Sequence, residues 1–128
     1  MKKTIILLLA VILLTACGET KENVQEAIYM NISAEEAKKI MDTEEGYIIL
    51  DVRTREEFDQ GHIPGAILIP DTEIKAQAGE VLTDKDQLIL VYCRSGRRSK
   101  LAAETLVELG YTNIREFGGI MDWPYETE

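Results

Sequence analysis

A chain of 128 residues with a formal net charge of -9 has room for one domain, and it lacks the basic face that nucleic-acid binding requires. The same charge gives no attraction to an anionic membrane surface, so membrane contact would need another device. Two cysteines and a single histidine exclude a structural zinc site, and nothing in the sequence calls for a cofactor.

The chain opens on a short basic region, Met1-Lys2-Lys3, and an almost unbroken apolar run from Thr4 to Leu14. That run is shorter than the roughly 20 residues of a membrane-spanning helix. It fits a secretory signal peptide over residues 1–16. Leu14-Thr15-Ala16-Cys17 resembles the lipobox of bacterial lipoproteins, in which the cysteine is lipidated and becomes the new N-terminus. Cleavage there removes Lys2 and Lys3 and makes the net charge -11. The alternative is an uncleaved anchor with an incidental Cys17. Both readings put the domain at the outer face of the cell membrane, tethered by residues 17–27, which are polar and aperiodic.

The domain is expected over 28–128. Ser33 and Glu36 form a capping box ahead of a short amphipathic helix over 34–42, with Ala37, Ile40 and Met41 at helical spacing. Tyr47 to Leu50 is an apolar run ending at Asp51, suited to a strand covered on both faces. Thr54 and Glu57 form a second capping box, opening a helix that stops by Gly61. Ala66 to Ile69 reads as another strand, and 73–80 carries a weak helical pattern. Leu88 to Tyr92 is the strongest strand signal in the chain. A helix follows from Ser99 to Leu109, with Leu101, Ala102, Thr105, Leu106 and Leu109 as its apolar stripe and Gly110 where a C-terminal cap belongs. Asn113 to Phe117 is a last strand before Gly118-Gly119. Strands alternating with helices predict an α/β domain around a mostly parallel sheet.

In such sheets ligands bind beyond the carboxyl ends of the strands, which is where Cys93 falls. If Cys17 carries lipid, Cys93 is unpaired in a compartment where thiols usually pair, and a left-over thiol points to intermolecular pairing or a reactive sulfur. A strand-to-helix loop can aim backbone N–H groups at an anion, and the helix dipole adds positive potential. Arg94, Arg97, Arg98 and Lys100 add formal charge, and Gly96 frees the backbone to turn. These effects favour the thiolate, the nucleophilic form. A plain buried cysteine at a strand end is the competing reading.

Cys93-Arg94-Ser95-Gly96-Arg97-Arg98-Ser99 resembles the active-site loop of rhodanese domains. Leu50-Asp51-Val52-Arg53, Gly61-His62-Ile63-Pro64-Gly65-Ala66 and Gly118-Gly119-Ile120 with Trp123 agree, in the same order, over about 28–125. The resemblance implies a rhodanese-like fold with a central five-stranded sheet flanked by helices, and a ping-pong sulfurtransferase. Cys93 would attack the outer sulfur of an anionic donor such as thiosulfate, within a loop formed by Arg94, Ser95, Gly96, Arg97, Arg98 and Ser99. The resulting persulfide would pass its sulfur to a thiol, on a small molecule or a protein, or to cyanide.

His62, Asp51, Arg53, Phe117 and Trp123 are read as structural: a hydrogen-bonded turn, an internal ion pair or cap, and packing. Glu104, Glu108 and Lys100 are ordinary helix-surface charges. Two other functions compete, a non-enzymatic sulfur carrier or binding module and a cysteine phosphatase. Phosphatases of that type place an arginine six positions after the nucleophile, where its fork holds two phosphoryl oxygens. Here that position is Ser99.

Overall fold

The computed structural model describes residues 28–128. Cys17, the signal sequence and the tether lie outside them.

Five strands form one parallel sheet: β1 (Met30–Asn31), β2 (Ile48–Asp51), β3 (Ile67–Leu68), β4 (Ile89–Cys93) and β5 (Ile114–Gly119), in the order β1-β5-β4-β2-β3. The expected α/β class and five-stranded sheet are both present. Four helices connect the strands: α1 (Ala34–Thr43), α2 (Arg55–Asp59), α3 (Ile74–Val81) and α4 (Arg97–Glu108). The apolar runs of β2 and β4 are explained by helices on both faces. Alternation sends Ile89, Val91 and Cys93 toward Ile74 and Ala78 of α3 and Ala102, Ala103 and Leu106 of α4. Leu90 and Tyr92 face the opposite way, into a cluster with Ala37 of α1, Phe117 and Trp123.

Both capping boxes close as the sequence requires. Glu36 N donates to Ser33 Oγ at 3.0 Å while Ser33 N donates to Glu36 Oε2 at 2.9 Å. Thr54 and Glu57 make the same reciprocal pair.

Two expectations change, and one strand was not foreseen. Helix α4 begins at Arg97, two residues before Ser99, because Gly96 takes a left-handed conformation (φ 102°) and starts the helix with no side-chain cap. Leu101 is 53% exposed and faces solvent, while Ala103, left out of the expected stripe, is fully buried. The strand β1, two residues at the sheet edge, carried no signal of its own in the sequence.

Candidate active site

Cys93 ends the central strand β4, is buried, and forms no disulfide. The chain then turns through Arg94 and Ser95 to Gly96, whose N–H points back to Cys93 Sγ at 3.0 Å. That amide is the hydrogen-bond donor that the loop backbone presents to the sulfur. The turn is pressed against β5. A β-carbon on Gly119 would lie 2.0 Å from the carbonyl oxygen of Arg94, so backbone packs directly on backbone, and Met121 N donates to the same oxygen at 3.1 Å.

The residues of the loop divide by direction. Arg94, Ser95 and Arg97 are exposed, and neither arginine has an ion pair among the described residues. Arg98 turns away, donating to both carboxylate oxygens of Glu57 on α2 at 2.7 and 2.9 Å. Those hydrogen bonds lower the Glu57 carboxyl to about 2. The charge of Arg98 is therefore largely spent on holding α2 against the start of α4. Ser99 is fully buried, and its Oγ lies 3.3 Å from Cys93 Sγ.

A residue that sequence reasoning passed over completes the site. Glu116 of β5 is 2% exposed, and its Oε1 accepts from Ser99 Oγ at 2.7 Å and from Gly118 N at 2.8 Å. The signal for it was the strand period: Glu116 shares a face with Ile114, and that face packs against α4.

The other candidates are structural in geometry. Asp51 is fully buried and accepts from Arg53 Nε and Nη2, from the Arg53 backbone N–H, and from Tyr92 Oη at 2.6 Å. Burial, then the hydrogen bond to Asp51, pushes the Tyr92 phenol above its ordinary value. His62 stacks on Phe58 and bonds to the Phe58 carbonyl oxygen and to Glu128, out of reach of Cys93's hydrogen-bond partners. Phe117 and Trp123 pack in the core. No cluster of His, Cys, Asp or Glu suited to a metal occurs among the described residues.

A cleft of about 460 Å³ borders the loop, lined by Arg53, Gly61, Arg94, Ile120 and Met121 among others. A second cleft of the same volume lies against α1, lined by Met41, Ile49, Trp123 and Tyr125, and does not adjoin the cysteine loop.

The parallel sheet thus ends its central strand on a cysteine, with the following backbone folded over the sulfur. The chain belongs to the rhodanese family: the model of the rhodanese-like domain matches residues 33–125. It is 42% identical over 73 residues to the thiosulfate sulfurtransferase PspE of Escherichia coli (strain K12), covering 57% of this chain and 70% of that one. It is 41% identical over 98 residues to a Bacillus subtilis (strain 168) protein named "Putative sulfur carrier protein YrkF", covering 76% of this chain and 52% of the relative. The chain thus spans about half the length of that relative. Among solved structures, a rhodanese with anions from E. coli superposes with a TM-score of 0.60 at 38% identity, covering 64% of this chain and 96% of that one.

Proposed function

We propose that this chain is an extracytoplasmic sulfurtransferase, anchored by lipid on Cys17, that moves sulfane sulfur from an anionic donor such as thiosulfate to a thiol or cyanide. The observation that carries the reading is Cys93 Sγ at the end of β4 under the Gly96 amide, with the uncommitted charges of Arg94 and Arg97 at the rim. In the first half-reaction the Cys93 thiolate attacks the outer sulfur of thiosulfate. A new S–S bond forms, the donor's S–S bond breaks, and sulfite leaves with the electron pair. The persulfide left on Cys93 is then attacked by the acceptor, which takes the terminal sulfur and releases Cys93. The rim arginines draw and orient the anion, and the loop amides stabilise charge on the transferred sulfur. The geometry gives Arg98 and Ser99 a supporting part in this loop, since both side chains bond within the protein.

Cys93→Ser tests it. The swap is nearly isosteric, so the fold should persist, while thiocyanate formation from thiosulfate and cyanide should fall by more than roughly 10³-fold. Mass spectrometry should find one added sulfur on the wild type alone. Equal turnover by the mutant would remove Cys93 from the chemistry. Cys17→Ala should release the protein from membranes; an unchanged membrane fraction would refute the lipid anchor.

The name of the B. subtilis relative favours one second reading, a carrier that holds sulfur without turning over. A stable persulfide with no thiocyanate production would select it.

A further inference from the structure

The cleft against α1 takes no part in the sulfur chemistry, yet it has the form of a small-molecule site. Its volume of about 460 Å³ lies inside the range of roughly 300–1,000 Å³ usual for such sites. Helix α1, the β2 region, the turn after Gly61 and the C-terminal segment all converge on it. Three aromatic side chains, Tyr47, Trp123 and Tyr125, line it beside apolar Met41, Ile49 and Ile63.

The polar ends of two of these rings are satisfied within the protein. Tyr47 Oη donates to the Met41 carbonyl oxygen at 2.9 Å, and Trp123 Nε1 donates to the Glu126 carbonyl oxygen at 3.1 Å. Trp123 and Tyr125 meet nearly edge to face, with centroids 4.9 Å apart and planes at 71°, as two walls of a corner. The rings are therefore fixed, and what they contribute to the cleft is mainly π-surface.

The rim is charged. Lys38, Asp42 and Glu126 stand on it, two carboxylates against one ammonium. That ammonium is already engaged, since Lys38 Nζ is hydrogen-bonded to Asp42 one turn along α1. Glu126 has no ion pair among the described residues, and its charge also acts on Lys38. The rim thus keeps an unbalanced negative charge, in a chain whose net charge is -9. Both fields draw cations in and keep anions out.

Lys38 also marks where a cation sits. Its Nζ lies over the Tyr125 ring, 5.7 Å from the centroid, close to the outer limit of about 6 Å for attraction by a ring quadrupole. It is a poor fit for that place. An ammonium needs partners for all its N–H groups and holds water tightly, while the walls offer ring faces and apolar side chains. Its pair with Asp42 is partly exposed, and such pairs hold weakly. A quaternary ammonium has no N–H to satisfy. Its methyl groups can pack on the rings while its charge meets the carboxylates of the rim.

We infer that this cleft is a second ligand site, for a free small organic cation of the quaternary ammonium class, with Lys38 as a built-in competitor whose place over Tyr125 the ligand takes. The site stands independently of the sulfurtransferase reading.

Trp123 is the only tryptophan of the chain, so its fluorescence reports on the cleft directly. The test titrates the purified protein with choline and with 3,3-dimethylbutanol, which has the same shape and no charge. Choline should give a saturable change, and the alcohol should bind at least about tenfold more weakly, the scale of a desolvated cation–π contact. Tyr125→Leu should weaken choline by about fivefold, and Glu126→Gln by about threefold at low salt. Lys38→Met lies on the helix surface, keeps the length of the side chain and removes the competing charge. It frees both the ring and Asp42, and should tighten choline by about fivefold at an unchanged melting temperature. Equal binding of choline and the alcohol would reduce the cleft to an apolar one and overturn the inference. So would the absence of a saturable change, or a choline affinity that Lys38→Met leaves unchanged or lowers. A response to phosphatidylcholine vesicles with none to free choline would assign the chemistry to a lipid headgroup, and the free-ligand site would be refuted.

Discussion

Two neighbouring strands end in buried carboxylate networks, and they solve the same electrostatic problem in opposite ways. After β2, Asp51 is met by a guanidinium, a backbone N–H and a phenol; Arg53 Nη2 also donates to the Gly61 carbonyl oxygen. Tyr92 ties this knot to the 62–66 turn by accepting from Ile63 N. Every charge there has an opposite charge, and the corner is fixed. After β4, Cys93 and Glu116 both contact the Ser99 hydroxyl, each faces its own backbone amide, and among the described residues no cation forms an ion pair with Glu116. The difference shows how one sheet edge separates scaffold from chemistry. Matched charges hold the first crossing rigid, while the carboxylate beneath the cysteine loop is held by a hydroxyl and an amide in place of a cation.

The largest effect that can break this comparison comes from Arg53→Ala. It strands a fully buried Asp51 and should cost about 3 kcal/mol in urea unfolding, the scale for removing one partner of a buried pair. A loss under about 1 kcal/mol would mean that Tyr92 and the backbone N–H suffice, making the two corners alike. Arg97→Glu is the next test, since its charge lies on the rim. Thiosulfate KM should rise about tenfold at low salt and the gap should narrow as salt is added, with little change in melting temperature. An unchanged KM would assign donor binding to the amides alone. The smallest effect is at the bridge between the corners. Glu57 lies at about 2 rather than 4.5 in the folded protein, so its pair with Arg98 contributes fully above about pH 4.5 and is lost as the pH falls toward 2. Both partners are a little over a quarter exposed, which limits the contribution to about 1 kcal/mol. Glu57→Gln should lower stability by that amount at pH 6 and by progressively less below pH 4, as read by chemical denaturation.

The sheet and its order of elements were legible because β2 and β4 are continuous apolar runs and because two capping boxes mark helix starts without ambiguity. The place of Cys93 was legible for the same reason: it follows directly on the apolar run of the strongest strand. What escaped the reading has identifiable causes. Gly96 opens α4 through its backbone angle, which leaves no capping side chain to recognise. The pairing of Arg98 with Glu57 was not foreseen because the two residues are 41 positions apart. Leu101 was assigned to the buried stripe, and the helix turns out to present alanines to the sheet at 102 and 103, where β4 and β5 come close. Glu116 reads as a surface charge until the strand period is followed through Ile114.

The contact between Gly119 and Arg94 has a consequence for how such a site can diversify. Any side chain at 119 would overlap the carbonyl that closes the turn, so this position admits glycine and the turn keeps its shape. The side chains at 94, 95 and 97 meet no such limit, because all three project into water. Variation is thereby channelled: the seat of the sulfur is inherited intact, while the rim that greets donors and acceptors is open to replacement. A library randomised at those three positions should retain a folded, loadable Cys93 in most members and scatter widely in the molecules it serves.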